Sequence, residues 1–267
     1  MSNTETKNTL ENEQIAERYI MQAIKLPYVK INREDFLFSI LKNEDSSNVI
    51  KFIETGDSSI FSRKDIDKLS KKVIKEETYR STTASFATGL PGGYTALGSV
   101  PADILQNLAH SLRLAQKLAY LYGEEDLYDT NGKLQEKGKN SLISYFGTML
   151  GVSTATAAVG LFSKNAPKEV VKAISKTNVT QTLWYPIIKS VMKYFGISVT
   201  KEGLKGFAKK AIPVVGGFVS GGMTYVALSK SGERLRKRLS EVAYDYTDEK
   251  EDADFKEVVK EYGENEL

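Results

Sequence analysis

Residues 101–123, PADILQNLAHSLRLAQKLAYLYG, decide the fold. Ser99 stands where a helix cap belongs. Pro101 suits the first turn, where its missing N–H is no loss, and Asp103 suits the positive end of the helix dipole. Ile104, Leu105, Leu108, Ala109, Leu112, Ala115, Leu118 and Ala119 then recur at helical spacing and form one apolar stripe. Gly123 follows as a stop. The polar stretch 124–138 reads as a loop with a turn at Asn131-Gly132.

The rest of the chain extends the same pattern. Asn32 lies three residues before Asp35, and Ser62 three before Asp65, with Leu69, Val73 and Ile74 following at helical spacing. Asn165 precedes Pro167 and Glu169 in the order of a cap and first turn, and Thr200 opens KEGLKGFAKKAI. Alternating β-branched runs with hairpin turns are scarce. The expected fold is all-α: a compact multi-helix domain whose central helices are Gly-rich and uncharged.

Composition narrows the chemistry. The chain of 267 residues has no cysteine and one histidine, His110. That excludes a disulfide framework, a thiolate nucleophile and a Cys/His zinc site, and confines any histidine-based catalysis to His110. No catalytic set, metal set or cofactor motif stands out. The opening residues MSNTETKNTLENEQ are polar, without the basic and apolar regions of a secretory signal, which points to a cytoplasmic address.

Charge is unevenly spread. Residues 164–238 hold 15 Lys/Arg against three acids, whereas 241–267 hold 11 acids against three lysines. Residues 81–102, 140–163 and 211–229 carry no charge at all. The middle run is long enough for a bilayer, about 36 Å as a helix against a core of about 30 Å. Its many Ser, Thr and Gly residues instead favour a pair of helices buried in a helical domain, although membrane insertion stays open. GLPGG at 89–93 must break a helix, and it lacks the Lys-Ser/Thr of a phosphate loop.

Asp103, Gln106 and His110 share one face of the helix at 101–122, and Arg113 and Lys117 extend the line. Asp103 is too far along the axis to orient His110, so catalysis there needs a carboxylate from elsewhere. The alternative is one buried polar contact or a solvated polar face.

The lysines point to a surface. Lys164, Lys168, Lys172 and Lys176 recur every four residues, with Val170, Val171 and Ile174 opposite. Lys201, Lys205 and Lys209 repeat this, and Arg234, Lys237 and Arg238 add a further cluster. Basic amphipathic helices bind membrane surfaces or acidic partners. The segment is poor in arginine and shows no nucleic-acid module, so nucleic acid is not the expected partner.

Three segments carry a family resemblance. ATGLPGGYTALGSVPADILQNLAHSLRLAQKLAYLYG at 87–123 resembles the signature of the EcsC family; KTNVTQTLWYPIIKSVMKYFGISVTKEG at 176–203 and IPVVGGFVSGGMTYVALSKSGERLRKRL at 212–239 are similar to its later segments. Gly89, Pro91, Gly92, Gly93, Pro101, Asp103 and His110 occupy positions that match the family motif. The resemblance covers about residues 15–240. It implies a helical, membrane-associated cytoplasmic protein, encoded in its namesake's case beside the ATPase and membrane subunits of an ABC transporter. It implies no settled biochemical activity and no cofactor.

The expectation is therefore a disordered N-terminus over 1–14, an EcsC-like helical domain over 15–240 and an acidic tail over 241–267. The protein is expected on the inner face of the cell membrane, held peripherally by anionic lipid or a membrane protein, as an accessory to a transporter. Two alternatives stand beside this: a soluble helical interaction module, and an enzyme using His110 and Asp103. The sequence leaves the oligomeric state and the ligand open.

Overall fold

The computed structural model describes residues 18–26, 28–82, 102–163 and 221–266. Every regular element in them is helical, as the sequence predicted: α1 (18–24), α2 (Arg33–Ile40), α3 (Ser46–Thr55), a 3-10 turn (Ser58–Ile60), α4 (Arg63–Thr82), α5 (Ala102–Leu121), α6 (Glu136–Leu150), α7 (Ser153–Phe162), α8 (Gly221–Tyr244) and α9 (Asp248–Glu266). Among the described residues the one β-type pairing is a bridge between Tyr128 and Leu134, across a turn in which Gly132 has φ 75°.

Capping chemistry explains the helix starts. Asn32 Oδ1 accepts from the Asp35 amide at 3.0 Å, opening α2. Ser62 and Asp65 cap α4 reciprocally: the Asp65 amide donates to Ser62 Oγ at 3.2 Å, and the Ser62 hydroxyl donates to Asp65 Oδ2 at 2.6 Å. α5 ends where expected, with Gly123 at φ 86°.

α5 differs from the sequence reading in one respect. From Leu105 onward its stripe is buried, but so are Leu114, Gln116, Tyr120 and Leu121 on other faces. α4, α8, α6 and α2 surround it, so it is the hub of the bundle rather than an amphipathic surface helix. Gln116 satisfies its buried amide on the chain before α2: it accepts from the Ile31 amide at 3.2 Å and donates to the Val29 carbonyl at 2.9 Å.

α4 and α8 pack antiparallel along their lengths. Arg63 Nε meets Ser240 Oγ at 3.0 Å, Arg236 Nη1 meets Asp67 Oδ1 at 2.9 Å, and Gly232 lies against Ile74 and Leu114. The absent side chain at Gly232 is what lets α8 close on α4 and α5 together.

The uncharged run 140–163 forms most of α6 and α7, two helices separated at Gly151, which has φ 84°. Ser141 through Met149 are buried without interruption. The run is thus the pair of buried helices rather than one continuous span. Among the described residues no helix is long and apolar enough to cross a membrane. The run 211–229 is described only from 221 onward, where it opens α8, and the run 81–102 only at its two ends.

The boundary expected at 240 falls inside α8, which continues to Tyr244. Most of the acidic tail is α9, which packs on α7 and buries Val258. Residues 1–14, expected as a disordered N-terminus, lie outside the described residues.

Candidate functional site

The outward side of the α4–α8 pair is basic. On α4, Lys64, Lys68, Lys71 and Lys75 are all exposed. At about 100° per residue they fall on one side of the helix, just past the residues that touch α8. On α8, Lys230 and Lys237 are exposed and occupy the corresponding position. The contacts Asp67–Arg236 and Ile74–Gly232 set the register. Lys68 therefore stands level with Lys237, and Lys75 with Lys230. Among the described residues none of these six lysines makes an ion pair.

The α4 row had a weak signature in the sequence. Helix α4 carries Asp65, Asp67, Glu76 and Glu77 among its seven Lys/Arg residues, which dilutes its net charge. Folding halves the dilution, leaving Asp65 and Glu76 exposed. Asp67 turns to Arg236 and Glu77 is 1% exposed in the core. The lysine spacing i, i+4, i+7, i+11 was the signal available. Holding like charges at these spacings weakens an isolated helix by a few tenths of a kcal/mol per pair.

Of the basic residues singled out in the sequence, Lys164, Lys168, Lys172, Lys176, Lys201, Lys205 and Lys209 lie outside the described residues. So do Gly89, Pro91, Gly92, Gly93 and Pro101, and the side chain of Asp103. Lys237 is exposed on the basic face. Arg234 is exposed on the next turn and donates from Nη1 to the Met149 carbonyl at 2.9 Å.

Arg238 corrects the expectation of a surface cation. It is 8% exposed. It pairs with Glu241 at 2.8 Å and with Asp254 of α9, and donates from Nε to the Thr156 carbonyl of α7 at 3.0 Å. One turn of α8 presents Lys237 to solvent and Arg238 to α7 and α9, a rotation that sequence clustering does not resolve.

His110 is 1% exposed, and its partner is Glu77 of α4 rather than Asp103. Nδ1 lies 3.2 Å from Glu77 Oε1. Arg113 Nε reaches the same oxygen at 3.1 Å, and Lys117 Nζ reaches Oε2 at 2.5 Å. Arg113 also donates to the Tyr28 carbonyl, and Lys117 sits 6.0 Å from the Phe36 ring centre. The line His110, Arg113, Lys117 was visible at helical spacing; its carboxylate, from another helix, was not.

Burial by itself raises the Glu77 carboxyl, but the His110 contact and the charges of Lys117 and Arg113 outweigh it and hold the group well below the usual carboxylate range. Burial pulls Lys117 down, and Glu77 only partly restores it. An ionised carboxylate is acceptor-only, so His110 presents Nδ1–H to it. Three donors on two oxygens leave Glu77 a fixed counter-ion. It ties α4 to α5 directly behind the lysine row.

The chain matches no protein-family model, no curated protein and no solved structure.

Proposed function

We propose that this protein is a peripheral membrane protein that binds anionic lipid surfaces through the basic side of α4 and α8. The observation that carries the reading is six exposed lysines on two packed helices, two pairs of them at matched heights, without ion pairs among the described residues. Two rows on a rigid pair present a flat array of ammonium groups, the geometry that suits a plane of headgroups rather than one small anion. Near an anionic leaflet each such lysine contributes about 1 kcal/mol. The surplus of Lys/Arg over acids in 164–238 adds to the attraction.

The resemblance of residues 87–123 and 212–239 to the EcsC family supports the same reading, with a cytoplasmic-face position and a role accessory to an ABC transporter as its further content. Membership of that family is part of the proposal.

The test is co-sedimentation with vesicles of phosphatidylcholine alone and of equimolar phosphatidylcholine and phosphatidylglycerol. The native chain is expected to pellet only with the anionic vesicles, and less as salt rises. Changing Lys68, Lys75, Lys230 and Lys237 together to Glu removes about 4 kcal/mol of attraction, close to a thousandfold in partition, before repulsion is counted. Melting temperature should barely change, since all four side chains are exposed. Equal partition of the native and quadruple-variant proteins refutes the assignment of this face. Failure to bind anionic vesicles, with capture of an acidic protein abolished in the variant, returns the face to a soluble interaction module.

A further inference from the structure

We propose that α9 is an autoinhibitory helix for the basic face, docked on α7 in the closed state and released to allow full membrane binding. The inference rests on the membrane-binding reading above and adds its regulation.

The first observation is position. Glu241 lies four residues beyond Lys237 on α8, and Lys250 of α9 reaches it at 2.8 Å. Asp254 of α9 pairs with Arg238. The start of α9 therefore lies along the edge of the face that carries Lys237 and Lys230. Residues 248–266 hold nine acids and three lysines, and Asp248, Glu249 and Asp252 are exposed. On docking through that face, these exposed carboxylates would repel the same anionic headgroups, over a range of about one Debye length, roughly 8 Å. Their crowding is felt inside the helix too: partial burial and then Asp248, Asp252 and Asp254 push the Glu251 carboxyl upward.

The second observation is how α9 is held. α9 packs on α7 over an extended contact, and the polar part of that contact is concentrated near the start of the helix. Arg238, Asp254 and Tyr246 form one cluster, in which the Tyr246 hydroxyl donates to Asp254 Oδ2 at 2.6 Å and Arg238 lies 5.4 Å from the Tyr246 ring centre. Val258 is the apolar anchor further along. Acids at Asp248, Glu249 and Glu251 suit the N-terminal end of the helix dipole, so α9 has local reasons to stay helical when undocked.

The third observation is what release delivers. It takes a segment with a net charge of −6 away from the face. It also frees Arg238 of its Asp254 partner, one residue from Lys237. Arg238 keeps Glu241 and the Thr156 carbonyl as partners but loses one of its two carboxylates, which raises the net positive charge beside Lys237.

Gly160 of α7 provides a charge-neutral way to open the contact. A Cβ there would lie 2.3 Å from Tyr246 Oη and 2.5 Å from both Arg238 Nη2 and Asp254 Oδ2. All three are side-chain ends bonded to one another, so a methyl there forces their cluster apart. Gly160→Ala should therefore loosen the start of α9 while favouring the α7 helix itself. Val258→Asp is the second variant: a buried carboxylate in the docked state undocks α9 from its other end, and it adds a negative charge.

Both full-length variants are compared with the native chain on the equimolar phosphatidylcholine and phosphatidylglycerol vesicles, with circular dichroism to check helix content. Removing one α9 carboxylate from beside the headgroups is worth about 1 kcal/mol, so each variant should bind at least about fivefold tighter, with the gain shrinking as salt rises. Tighter binding by Val258→Asp, against its own added charge, is explained only by release. Hydrogen exchange in 248–258 should accelerate in both variants and in the native chain on vesicles. Native binding with no gain in either variant overturns the autoinhibition and leaves the membrane reading intact. Absence of binding in all three overturns both.

Discussion

Replacing Glu77 by Ala should destabilise the fold by about 4 kcal/mol. The carboxylate is 1% exposed and receives His110, Arg113 and Lys117. Removing one partner of a buried ion pair costs about 3–5 kcal/mol, because it strands the other charge away from water. Here two cations are stranded, which pushes toward the upper end. Two details push back: the Arg113 and Lys117 side chains keep 16% and 14% of their exposure, and Arg113 retains its bond to the Tyr28 carbonyl. At about 2–4 °C per kcal/mol for a chain of this size, the melting temperature should fall by roughly 8–16 °C. Urea titration followed by far-ultraviolet circular dichroism measures the change directly. The pH dependence gives an independent check. Glu77 has a depressed folded pKa, so its contribution is complete above the unfolded value of about 4.3 and is lost as pH falls through the folded value. Glu77→Gln should therefore be less stable than the native chain at neutral pH and show a flatter acid limb. A loss below about 1 kcal/mol for Glu77→Ala, with an unchanged acid limb for Glu77→Gln, would refute the account of a desolvated counter-ion.

Gly138→Ala should be among the most damaging single-methyl additions, by about 1–3 kcal/mol, because a Cβ there would lie 2.2 Å from the Leu127 carbonyl oxygen, a backbone atom with no freedom to move. Gly151→Ala should cost about 1 kcal/mol for a different reason, since an added Cβ meets only Arg234 at an ordinary 3.9 Å but its φ is 84°; thermal melts of the two rank them. High salt or alkaline carbonate should strip the protein from membranes, and retention in the pellet until detergent is added would show that the contact is not peripheral. Changing Lys164, Lys168, Lys172 and Lys176 to Glu should weaken binding to anionic vesicles with little loss of helix content; unchanged partition would assign those lysines to a solvated face.

The fold was legible where the determinants are local. Asn32, Ser62 and Gly123 mark helix ends through bonds within one turn, and the stripe from Leu105 to Ala119 keeps its period whatever surrounds it. The burial of α5 on its other faces was not legible, because Tyr120 and Leu121 lie off the stripe and only the tertiary positions of the surrounding helices decide their burial. The candidate face was half legible. Lys237 and Arg238 are adjacent in sequence, yet one turns to solvent and the other to Asp254, and their phase depends on how α8 sits against α7. Glu77 shows the same limit: its partners lie more than 30 residues away, and its acidity counted against α4 as a basic helix until folding turned it inward.

The amide of Gln116 has a consequence for how the molecule opens. Its two polar ends are spent on Val29 and Ile31, while Arg113 holds the carbonyl of Tyr28. Residues 28–31 cannot peel away without leaving the buried Gln116 oxygen without its donor, and the helix cannot loosen without losing that segment. Exchange of the Ile31 amide with solvent should therefore proceed at the slow rate of the α5 amides, and not at that of a chain end.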